Sequence, residues 1–72
     1  MLNETLLGAL IDYQRIYGKN PDIIRLNPVF YRALLQELNY PGWLIHKKSS
    51  QKYQTMLGIK IEITAKVQQF EM

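Results

Sequence analysis

The sequence predicts an α+β fold: two amphipathic helices packed on one face of a small sheet of two or three strands. Three observations carry this. Apolar residues recur at helical spacing over residues 3–17 and again over residues 28–38. Ile59-Lys60-Ile61-Glu62-Ile63-Thr64 alternates strictly, the pattern of a strand with one buried face. Asn27-Pro28 pairs a favoured helix cap with a favoured first helical residue. The expected order is helix, strand, helix, loop, strand, with Trp43–Ile45 as an optional further strand before the loop.

In the first helix Leu6, Leu10, Tyr13 and Tyr17 form the stripe, which Leu7 and Ile11 widen. Asn3 is the expected cap, and Glu4 suits the positive end of the helix dipole. Gly18 can take the left-handed conformation that closes a helix, and Pro21 forbids continuation. Residues 22–26, Asp-Ile-Ile-Arg-Leu, are too short for a helix and suit a mostly buried strand. The second helix then opens at Asn27-Pro28 and runs to about Leu38, with Phe30, Leu34 and Leu38 on one face. Asn39-Tyr40-Pro41-Gly42 ends it.

Trp43-Leu44-Ile45 reads as a short strand or as an aromatic plug over the core. Residues 46–56 show no clean period and read as an exposed basic loop, with room for a helical turn around Lys52–Leu57. Ile59, Ile61 and Ile63 are expected to point inward. Residues 66–72 are expected to extend the last strand or to fray.

The chain has 72 residues, and residues 1–72 are expected to form one domain. A chain of this size buries only about 60% of its unfolded surface. It contains no cysteine, which excludes disulfide staples, thiolate zinc sites and cysteine nucleophiles. His46 is the single histidine, so no two-histidine metal motif exists. The glycines at 8, 18, 42 and 58 are isolated and cradle no phosphate. No two of the six carboxylates share a turn or strand face, and Ser49 and Ser50 beside His46 lack an orienting acid. The expectation is a protein that is not an enzyme and uses no cofactor or metal.

Charge is unevenly spread. The first 45 residues balance, and the whole net charge of +3 lies in residues 46–72. Lys47, Lys48, Lys52, Lys60 and Lys66 are therefore candidate phosphate contacts, which would make the chain a nucleic-acid accessory protein. The alternative role for these lysines is solubility, with Lys60 and Lys66 guarding a strand edge. No arginine joins them, although arginine is the usual residue for bidentate recognition.

Aromatics suggest a different use of the surface. Tyr13, Tyr17 and Tyr31 fall on or beside the helix stripes and are expected in the core or at its rim. Tyr40, Trp43 and Tyr53 lie in or next to turns and are candidate protein contacts. A sheet of two or three strands exposes its edges and is marginal alone. Self-association or a protein partner is thus the leading expectation, and a small ligand at an oligomer interface ranks last. No membrane partner is expected, since the longest apolar run, Leu6–Ile11, is far below the ~20 residues that span a bilayer. The start Met1-Leu2-Asn3-Glu4 lacks the basic residues of a secretory signal.

Two stretches carry a family resemblance. Ile23-Ile24-Arg25-Leu26-Asn27-Pro28-Val29-Phe30-Tyr31-Arg32-Ala33-Leu34-Leu35, followed by Met56-Leu57-Gly58-Ile59-Lys60-Ile61-Glu62-Ile63-Thr64, resembles the axial-domain segment of tailed-phage major capsid proteins. The shared features are a hydrophobic strand, an Asn-Pro-capped helix, a loop of variable length and a Leu-Gly-led strand. The resemblance covers about two-thirds of the chain, which is far too short to hold a capsid subunit's long spine helix and extended arm. It implies a phage-type domain with contacts between chains as its business, found in a bacterial host's cytoplasm or in the virion. It carries no site residues across, because the shared motif is structural.

Overall fold

The computed structural model describes residues Met1–Met72. Its elements run α1 (Leu2–Tyr17), β1 (Ile23–Leu26), α2 (Pro28–Glu37), α3 (Gly42–Ser49), β2 (Tyr53–Met56), β3 (Ile59–Ile63) and β4 (Phe70–Glu71). The class is α+β, as the sequence predicts, with three helices and four strands in place of the expected two helices and two or three strands.

The strands form one mixed sheet in the order β2-β3-β1-β4. β3 pairs antiparallel with β2 and parallel with β1, so that Ile24 stands beside Ile61 and Leu26 beside Ile63. β4 closes the far side of β1. The helices cover one face only. Ile24, Leu26, Ile59, Ile61 and Ile63 point into that face and meet Leu6, Leu10, Phe30, Leu34 and Leu35. On the other face Tyr53, Glu62, Arg25 and Glu71 stand in register across all four strands.

Local signals explain α2. Asn27 is in the extended region, and its Oδ1 accepts from the Val29 N–H at 2.8 Å while Pro28 opens the helix. α1 closes as expected on Gly18, whose φ of 69° is left-handed. Its start differs from expectation. Asn3 lies inside the helix, the cap position is Met1, and no local side chain caps it. The carboxylate of Glu37 does so instead, accepting from the N–H groups of Leu2 and Asn3 at 2.9 and 3.2 Å. The stripe of α1 is also shorter in use than in pattern. Leu6 and Leu10 are buried and Tyr13 is half-buried, but Tyr17 is exposed, as is Ile11.

Trp43-Leu44-Ile45 is neither a strand nor a plug. It starts α3, and Trp43 stays 70% exposed. Leu44, Ile45, Lys48 and Ser49 face inward while Trp43, His46, Lys47 and Ser50 face out, a helical period. Only two of the inward four are apolar, so hydrophobicity alone hides the stripe.

The expected loop at 46–56 is therefore the second half of α3 followed by β2, and Lys52–Leu57 holds a strand instead of a helical turn. Leu57 and Gly58, with φ of 54° and 76°, make the tight turn from β2 into β3. Residues 66–72 turn back to the sheet instead of extending β3: Val67 is buried, Phe70 tilts against Phe30 with ring centroids 5.6 Å apart, and β4 pairs with β1. The Asn27 amide ties this segment down by donating to the Val67 carbonyl at 2.9 Å.

Candidate functional site

The helix layer does not cover the sheet evenly. Where α1, α2 and α3 approach the β2–β3 hairpin they leave an open groove of about 400 Å³. Its floor is core: Leu6, Leu10, Ile24, Leu34 and Ile59. Its rim is Leu7 from α1, Leu38 at the end of α2, Tyr40 before α3 and Leu57 at the hairpin turn, all exposed. The groove is thus a continuation of the hydrophobic core that reaches water.

Leu57 is the most unusual residue of this rim. A two-residue turn with both residues left-handed asks for Asn-Gly. Leucine there holds φ at 54°, which its Cβ disfavours, and leaves its side chain 67% exposed. Sequence reasoning missed Leu57, Leu7 and Leu38 as surface residues, since each looks like an ordinary member of an apolar pattern. Met56-Leu57-Gly58-Ile59, a bulky residue just before a turn glycine, was the available signal.

Three polar side chains line the groove, Asn3, Thr55 and Lys48, and Lys48 is the one that carries a charge. Lys48, half-buried, lines it and holds its Nζ 5.8 Å from the centre of the Tyr40 ring. Lys48 takes part in none of the protein's ion pairs, which join Arg15 to Asp12 and both Arg25 and Lys52 to Glu62. Beneath it the buried Tyr31 hydroxyl donates to Gln54 Oε1 at 2.8 Å, and Gln54 Nε2 donates to the Lys48 carbonyl at 2.8 Å. Burial pushes the Tyr31 phenol above its ordinary value, and the neighbouring Tyr40 adds to the shift.

The five candidate phosphate contacts do not gather. Lys48 faces the groove, and Lys47 lies on the outward side of α3 with Trp43. Lys52 lies 4.0 Å from Glu62 and 5.4 Å from the centre of the Tyr53 ring. Lys60 stands on the open face of β3, an interior strand, and therefore guards no edge. Lys66 follows β3 in the turn before β4. The three candidate protein contacts are also split: Tyr40 is on the groove rim, Trp43 on the outer side of α3, and Tyr53 on the open sheet face.

No three His, Asp or Glu side chains come together as a metal cluster. The Ser49 and Ser50 hydroxyls donate to the carbonyls of His46 and Lys47. No helix is long and apolar enough to cross a membrane. Comparison with protein-family models, with curated proteins and with solved structures gives no match.

Proposed function

We propose that this chain is a non-enzymatic protein-interaction module that receives apolar residues of another chain in the groove between α1, α2 and the β2–β3 hairpin. The observation that carries it is Leu57, a leucine held both at positive φ and in water at the edge of an opening into the core. Backbone strain of this kind costs about 1–3 kcal/mol and concentrates where a surface has work to do. Leu7, Leu38 and Tyr40 extend the same rim, so four exposed apolar side chains adjoin one opening into the core. The capsid resemblance points the same way, since the corresponding capsid segment serves contacts between subunits. A phage-encoded module that binds a virion or host protein, or a second copy of itself, fits this surface.

The lysines give a nucleic-acid role less support, because they are divided among the groove, the outer side of α3, the open sheet face and the turn before β4. A small apolar ligand is the second reading, favoured by the groove's volume, which lies within the ordinary range of ligand pockets.

A photo-crosslinking residue placed at Leu57, with a control at the exposed Arg32 on α2, tests the proposal in the native host. A discrete protein adduct at position 57 and none at 32 is the expected result. An adduct of twice the monomer mass identifies self-association, and any other mass a different partner. No adduct at 57, or equal adducts at both positions, overturns the proposal.

A further inference from the structure

Resting on that protein-contact reading, we propose that the partner enters as an extended strand added antiparallel to the free edge of β2. It carries a large apolar residue followed two residues later by Asp or Glu.

β2 is the outermost strand of the sheet. The Ile63 N–H donates to the Lys52 carbonyl, which marks 52 and 63 as a hydrogen-bonded pair. Antiparallel pairs alternate, so Gln54 and Met56 also bond to β3, whereas the N–H and C=O groups of Tyr53 and Thr55 point away from it. Nothing else in the protein meets those four groups. The edge also lacks the usual blocks: Tyr-Gln-Thr-Met contains no charge and no proline, and its register with β3 runs unbroken over four pairs. Two successive residues of the right parity on an incoming strand can each exchange both hydrogen bonds with Tyr53 and Thr55.

Side-chain alternation then dictates what that strand must carry. Gln54 and Met56 face the helix layer, where Gln54 reaches Tyr31 and Met56 packs on the core. An added strand alternates with the same phase, so its residues beside Met56 and Gln54 also face the helices. Met56, Thr55 and Leu57 line the groove, so the residue beside Met56 enters it and is apolar. The residue beside Gln54 arrives next to Lys48, whose carbonyl takes the Gln54 Nε2 donation and whose ammonium, held by the Tyr40 ring, has no carboxylate of its own. A carboxylate there completes the charge, and the protein's net +3 favours an acidic segment. Antiparallel order places the apolar residue first, one residue opposite Thr55, and the acid third.

The probe is the blocked peptide Thr-Thr-Leu-Thr-Glu-Thr-Thr, titrated into the full chain and followed by backbone amide NMR. The Tyr53 and Thr55 amides are expected to shift most. Exchanging the peptide's Leu for Ser weakens binding about thirty-fold, and exchanging Glu for Lys about five-fold or more. Lys48→Gln removes the preference for Glu over Gln at that peptide position. Thr55→Pro abolishes binding and leaves the circular dichroism unchanged, because the lost N–H lies outside the β2–β3 ladder. N-methylation of the peptide's central Thr removes a donor from the same seam without altering the protein, and is expected to abolish binding too. Binding that ignores both changes, or that leaves the Tyr53 and Thr55 amides unmoved, overturns the inference. No peptide binding beside a dimer that Thr55→Pro dissolves also overturns it, in favour of a second copy at this edge. A crosslinked adduct at Leu57 without peptide binding overturns the edge inference and leaves the groove reading standing.

Discussion

Glu37, at the end of α2, caps the start of α1: its Oε2 accepts from the Leu2 N–H at 2.9 Å, across 35 positions of the chain. A second oxygen of the same carboxylate takes the Asn3 N–H. Two otherwise unpaired donors are thus satisfied by a residue from another helix, whose negative charge also meets the positive end of the helix dipole. Glu37→Ala is expected to cost about 1–2 kcal/mol, seen as a lower midpoint in urea, with faster amide exchange concentrated in the first turns of α1. Asn3→Ala leaves the midpoint almost unchanged, because the Asn3 side chain is not the cap.

Leu57 and Gly58 set up an exchange between stability and binding. Leu57→Asn relieves a disfavoured backbone conformation and removes an exposed leucine, so it is expected to stabilise the fold by about 1 kcal/mol in chemical denaturation. The same substitution weakens partner capture at the groove. A Leu57→Asn protein that is less stable than the parent would contradict the assignment of strain to this turn. Gly58→Val destabilises, since a β-branched residue at φ of 76° is worse than the leucine beside it.

Asn27 performs two tasks that substitution can separate. Its Oδ1 caps α2 through Val29, and its amide nitrogen holds the Val67 carbonyl. Asn27→Asp keeps the cap and loses the donation, so amide exchange is expected to rise over residues 67–71 while α2 stays protected. Asn27→Ala loses both and costs about 2 kcal/mol in denaturant melts.

Tyr31 links stability to alkaline pH. Its phenol titrates above the ordinary value of about 10 because burial, and then Tyr40, disfavours the charged form. The folded state therefore holds this proton more tightly than the unfolded chain. That stabilisation is complete below the unfolded value and is lost as pH rises through the folded one. Stability measured from pH 8 upward is expected to fall above about 10, and Tyr31→Phe makes the fall shallower. At neutral pH the same variant strands Gln54 Oε1 and costs about 1–2 kcal/mol. Equal alkaline slopes for the two proteins would remove Tyr31 from this account.

α1, β1, α2 and β3 were legible along the chain because each is written in near neighbours. Gly18 closes one helix, Asn27-Pro28 opens another, and Ile59, Ile61 and Ile63 alternate on a strand whose inner face is apolar. α3 was not legible, since its inward side uses the stem of Lys48 and the small Ser49 where a hydrophobic stripe would show leucines. β2 was not legible either. It is an edge strand in which only Gln54 and Met56 face the helices, so no run of buried apolar residues marks it. Of the candidate contacts, Tyr40 and Lys48 reached the groove, while the other lysines, Trp43 and Tyr53 did not.

By itself the sequence determined the α+β class, the ends of its best-punctuated elements and the inward face of its central strand, because those depend on interactions within a few residues. Tertiary structure alone decided that β1 and β3 lie side by side in parallel, that Glu37 caps a helix it does not belong to, and that residues 70–71 complete the sheet. It also decided that Leu7, Leu38 and Leu57 face an opening instead of a core. The physical reason is the same in each case. Apolar patterning states which side chains seek burial, but only the packing of distant elements fixes how much burial is available and where it ends.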